Sequence, residues 1–181
     1  MVDSIEIYNQ AEAMARRCRT RNPEEIAADL GIKIIEVDNC TDFLGMYMVR
    51  WKHRMIFLNR MMEYYVRMVV IAHELGHDTR HRSLAKKDSM KEFSLFNMKG
   101  KTEYEANAFA AHLLITNDAI IELAKDGYTA EQIACELKVM PELVLIKVQE
   151  LNRMGYEDLR LPDEPDACFL AKVGCDGAQD S

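Results

Sequence analysis

The stretch Val69-Val70-Ile71-Ala72-His73-Glu74-Leu75-Gly76-His77 decides how the rest of this 181-residue chain is read. Two histidines four apart on a helix project from one face, close enough for their imidazoles to hold one cation between them. Glu74 sits about 100° round the helix from His73, within reach of a water on that cation without being a ligand. Such an HExxH arrangement, completed by a third protein ligand, leaves a fourth position for water, whose pKa zinc lowers to about 7. With only five histidines in the chain, the pattern arises by chance in roughly one sequence in eighty of this composition. Val66, Val69 and Val70 precede His73 on its own face, so the histidines are expected to point inward.

The third ligand is sought on the next strongly helical segment, Thr102-Glu103-Tyr104-Glu105-Ala106-Asn107-Ala108-Phe109. Its two glutamates lie about 200° apart and cannot both face one ion. Glu105 shares its row with Phe109 and Leu113, which favours it as the inward carboxylate. Glu103, in a row with Asn107 and Ala111, is the alternative. Thr102-x-x-Glu105 also fits a capping box, in which Glu105 would merely satisfy a helix N-terminus.

Outward from these helices, apolar residues at helical spacing predict a helix from Ser4 to about Thr20. Asn22, Pro23 and Gly31 bracket a second, shorter one. The segments 32–37, 44–51 and 55–58 read as three strands of a small, mostly antiparallel sheet. A helix is expected from about Met61 to Thr79, a basic loop of net charge +5 over 80–101, and the alanine-rich helix from Thr102. Three shorter helices follow, near 118–125, 129–137 and 141–154. The last 25 residues carry seven acids against two bases and read as a loosely ordered tail that could lie over the basic loop and restrain the site.

Composition excludes other classes. Apolar residues make up 49% of the chain and no apolar run approaches a membrane span, so a membrane partner is not expected. A net charge of −7 disfavours nucleic acid as the main ligand. Five cysteines without a CxxC pair fit free thiols in a reducing cytoplasm, and the acid-containing N-terminus lacks a signal core.

Taken together, Ala72 to His77 (AHELGH), Glu103 to Leu114 (EYEANAFAAHLL) and the preceding Gly31 to Asn59 segment resemble the ImmA/IrrE metallopeptidases over roughly residues 10–155. The resemblance implies zinc held by His73, His77 and the glutamate of the EAN motif, with Glu74 as general base. It further implies that the substrate is a helix-turn-helix repressor, cut to release genes of a mobile element or stress response. His112 departs from the family pattern, where a glutamate is expected.

His81, four residues past His77, is a candidate outer partner or oxyanion stabiliser, as are Tyr64, Tyr65 and Tyr104. Six methionines between Met46 and Met68 read as adaptable core filler, and the strand near 44–51 could take an extended peptide if it lies at an edge. Residues 129–156 resemble a helix-turn-helix, yet 128–160 holds six acids against four bases, which favours a protein contact over DNA. The expectation is an α+β protein, with a metallopeptidase domain over 1–156, an acidic tail over 157–181, one Zn2+ and a protein substrate. A zinc-containing regulator that sequesters the repressor without cutting it, or a DNA-associated regulator, would share these features.

Overall fold

The computed structural model describes residues 2–38, 43–85, 100–156 and 159–162; most of the basic loop and the acidic tail lie outside them. Helix α1 (Ser4–Cys18) begins where the Asp3 side chain accepts from the Glu6 N–H, and buries Ile7, Ala11 and Ala15 along one row. Helix α2 (Pro23–Asp29) follows the expected Asn22 cap, with proline at its first position.

Strands β1 (Lys33–Val37), β2 (Gly45–Arg50) and β3 (His53–Asn59) form one sheet in the order β1-β3-β2. The β2–β3 hairpin is antiparallel, whereas β1 joins the other side of β3 in parallel, so the sheet is mixed. Nearness in sequence predicts the hairpin but not the edge to which an earlier strand adds. Trp51 and Lys52 turn the hairpin with both φ angles positive, as a tight two-residue hairpin turn with the strands' twist demands.

One face of the sheet buries Tyr47, Ile56 and Leu58 against helix α3 (Tyr64–Arg80). Gly45 permits that approach, since a Cβ there would fall inside the Val70 side chain. Of the six methionines Met68 is buried in the core and Met62, partly buried, packs against it, while Met61 is exposed. Past a single turn, α4 (Arg82–Ala85), the chain returns as α5 (Lys101–Leu114). Helices α3 and α5 form the centre of the molecule. A Cβ at Gly76 would sit 3.0 Å from the Ala106 Cα and 3.2 Å from the Phe109 Cβ, so the two backbones cross almost without side chains between them.

The remaining helices are α6 (Asn117–Lys125), α7 (Ala130–Leu137) and α8 (Pro141–Arg153). The Thr129–Gln132 capping box starts α7, and left-handed Lys138 ends it. The helix α8 packs on α5 and α7, burying Leu143, Val144, Ile146, Val148 and Leu151 together with Lys147 and Glu150. Of its thirteen residues only Glu142 and Arg153 are exposed. Among the described residues no helix is long and apolar enough to cross a membrane.

Candidate metal centre

Helix α3 is buried from Met68 through Asp78, which forces its polar side chains to find partners inside the protein. His73 and His77, 1% and 3% exposed, bring their Nε2 atoms to 3.0 Å of each other. A carboxylate from α5 closes the triangle: Glu103 lies 3.4 Å from His73 Nε2 and 3.6 Å from His77 Nε2. These separations fit the donor set to a small divalent ion, because tetrahedral ligation at zinc bond lengths spaces the donors roughly 3.3 Å apart. Two buried imidazoles and one half-buried carboxylate, converging on one point, are also a donor set that zinc takes in a site that keeps one position open.

The structure therefore brings Glu103, and not the favoured Glu105, to the imidazoles. Glu105 turns to the other side of the α3–α5 seam, where its Oε2 accepts from Arg80 Nε and His81 Nε2, each at 3.1 Å, with Lys101 Nζ 3.6 Å from Oε1. The physical reason is how α5 is rotated against α3. The crossing sets Ala106 and the Phe109 Cβ against Gly76 and brings Asn107 to His73. Glu103, in the row of Asn107, then reaches the imidazoles, and Glu105, about 200° round the helix, is turned toward Arg80 and His81. The capping box does not form either, since α5 starts one residue after Gly100 and Glu105 is its fifth residue.

The outer sides of both imidazoles are engaged. His73 Nδ1 meets the Asn107 side-chain oxygen at 2.8 Å, and His77 Nδ1 lies 3.1 Å from His81 Nδ1. Burial lowers the pKa of His73 to about 4, which keeps it neutral and able to bind a cation at ordinary pH. Burial alone would push the Glu103 carboxyl up, but the two imidazoles beside it hold it well below the usual carboxylate range.

Glu74, 2% exposed, lies next to this cluster and accepts a hydrogen bond from the backbone N–H of Tyr47 on β2. Burial raises its pKa to about 7, opposed by His77 and reinforced by Glu103. A carboxylate poised there can accept and return a proton near neutral pH. Glu74 is thus set between the imidazole-bearing face of α3 and the strand at the sheet's edge.

Asp78, absent from the sequence reading, anchors the end of the motif. It is 2% exposed, accepts from the Tyr47 hydroxyl, from Arg54 at 2.9 Å and from Arg82 at 2.8 Å, and so ties α3 to β2 and β3. Its place directly after His77 was the available signal. Tyr104, by contrast, points away: its hydroxyl donates to Glu150 at 2.6 Å and accepts from Arg153, against α8. Tyr64 stands exposed at the start of α3, and Tyr65 is 41% exposed beside it.

His112 lies far along α5 from the imidazoles, fully buried, with Lys147 Nζ 2.9 Å from its Nδ1 and Glu150 3.7 Å from its Nε2. The departure from the resembled pattern is absorbed there by an α5–α8 polar cluster.

Comparison with known proteins agrees with this geometry. The IrrE N-terminal-like domain model of the peptidase M78 family matches residues 27–149, which include both histidines, Glu74 and both candidate carboxylates. A protein of Bacillus phage phi105, named uncharacterized immunity region protein 2, is 30% identical over 136 residues, covering 75% of this chain and 85% of the phage protein. With two thirds of its length matched and the motif's side chains converging as a metallopeptidase requires, the chain belongs to the M78 (IrrE N-terminal-like) peptidase family.

Proposed function

We propose that this protein is a zinc-dependent endopeptidase that cuts a protein substrate in the cytoplasm. The observation that carries the reading is the convergence of His73, His77 and Glu103 beside the buried Glu74. When bound by these three residues, zinc supplies Lewis acidity that polarises a carbonyl and eases deprotonation of water. Glu74 takes the proton of the attacking water at its carboxylate, and the Tyr47 N–H keeps that carboxylate oriented. The same carboxyl then hands the proton to the leaving amine as the C–N bond breaks. Strand β2 is an edge strand whose core-facing Tyr47 abuts Glu74, so an extended peptide adding to it would lie beside the base.

The substrate we propose is a helix-turn-helix repressor of a mobile element, recognised at one linker and docked partly on the C-terminal helices. The similarity to a phage immunity region protein supports this choice. Seven of the thirteen residues of α8 are buried and only Glu142 and Arg153 are exposed, which speaks against a recognition helix entering a DNA groove, since that needs exposed side chains along its length.

The test mixes the purified chain with the product of the adjacent regulatory gene and looks for a discrete fragment by mass spectrometry. A fragment that disappears with chelator and with Glu74→Gln, while the variant still binds zinc and the repressor, supports the proposal. Binding without any fragment from the unaltered chain replaces it with sequestration.

A further inference from the structure

We propose that His81 and Glu105 are positioning residues that fix the metal-binding tautomer of His77 through a relay of hydrogen bonds. The inference rests on the zinc reading above. It concerns side chains that stand behind the ligand and touch neither ion nor substrate.

The relay follows from counting protons. His77 directs Nε2 toward His73 Nε2 and Glu103, so Nε2 must be the bare nitrogen if it binds a cation. The ring proton then resides on Nδ1, which faces His81 Nδ1 at 3.1 Å. Two N–H groups cannot share that contact, so His81 Nδ1 accepts and the proton of His81 resides on Nε2. That nitrogen lies 3.1 Å from Glu105 Oε2, an acceptor already held by Arg80 Nε at 3.1 Å. Arg80 is itself braced by Gln10 on α1 at 2.7 Å. Each bond sets the direction of the next, and the chain ends on a carboxylate that only accepts.

His77, Arg80 and His81 come from the end of α3 and Glu105 from α5, and all four are shielded. His81 is 6% exposed and Glu105 5%, so water cannot readily substitute for a missing partner. His73 has a simpler counterpart, its Nδ1 meeting the Asn107 amide oxygen at 2.8 Å. Both imidazoles are thereby presented with Nε2 foremost, one by an amide and one by a second imidazole. A carboxylate or carbonyl behind a ligating histidine raises its basicity and locks its ring. Here the carboxylate acts at one remove, with His81 as the spacer.

The experiment measures Zn2+ affinity of the full chain by competition with a chromophoric chelator, independent of any substrate. His81→Phe keeps the bulk but offers no acceptor, and is expected to weaken zinc binding roughly 10- to 100-fold. His81→Gln, whose amide oxygen can accept from His77 and whose NH2 can donate to Glu105, is expected to restore most of that loss. Glu105→Gln should fall between the two. The visible spectrum of the Co2+-loaded chain should shift in His81→Phe and return toward that of the unaltered chain in His81→Gln.

Unchanged affinity in His81→Phe, or equal losses in Phe and Gln, would overturn the relay. His77→Ala separates this failure from failure of the zinc reading. If His77→Ala loses zinc while His81→Phe does not, only the relay falls. If the unaltered chain takes up no zinc, or His77→Ala binds it as well as the parent, both fall.

Discussion

At the residue scale, the pocket is defined by which carboxylate faces the imidazoles. Replacing Glu103 with alanine should weaken zinc binding by more than the roughly 100-fold upper range of an outer-partner change, because it removes a donor outright. Isothermal titration would show it, and Glu105→Ala should cost less. His73, Glu74 and His77 were legible in the sequence because one helical turn fixes their relative positions whatever surrounds them. Glu103 stood there only as the alternative to Glu105. Choosing it requires knowing how α5 is rotated against α3, with Ala106 at Gly76 and Asn107 at His73, a fact of packing that periodicity does not carry. Asn107 lay in the row of Glu103 in plain sight, but its role behind His73 follows only from the crossing.

Lys147 offers a second residue-scale test, away from the pocket. It is fully buried between α5 and α8, and burial first of all, opposed by Glu12 and Glu150, lowers its ammonium pKa from 10.5 to about 7. Between those values the unfolded chain binds the proton more tightly than the folded one. The cost of holding this charge inside is therefore full below about pH 7 and vanishes as pH rises toward 10.5. Lys147→Met should flatten that rise in stability between pH 7 and 10, read as the urea midpoint at each pH.

At the scale of elements, Gly76 sets the distance between the two ligand-bearing helices. Gly76→Ala places a methyl carbon 3.0 Å from Ala106 Cα and 3.1 Å from its carbonyl oxygen, both backbone atoms that cannot swing aside. We expect a loss of about 1–3 kcal/mol in chemical denaturation, together with weaker zinc binding as α5 is pushed outward. The helices were readable from apolar spacing and, at Asn22 before Pro23, from a cap that the structure keeps. The strands were readable too, but the side on which β1 adds to β3 was not. Adding that strand in parallel depends on how the first two helices pack, which no local pattern records.

At the scale of the whole molecule, the proposed donors come from both α3 and α5, so on that reading bound metal and folding are linked. Chelator should lower the melting temperature of the unaltered chain, and Glu103→Ala should melt at one temperature with or without it. Differential scanning fluorimetry at matched protein concentration decides this. Composition anticipated a globular chain with an interior, and the α+β class followed from the order of helical and strand segments. The basic 86–99 stretch and the acidic end of the chain fall outside the described residues, and with them the idea that one restrains the other.

The bare crossing at Gly76 and Ala106 has a further outcome. With the two backbones this close at that seam, the proposed grip on an ion by side chains of both rods depends on how near they stand. An event that parts them should release a bound ion while leaving Glu74 seated on its own rod. A fluorescent indicator of free zinc would then light up before bulk unfolding, and serve as a gauge of that one joint in a warming solution.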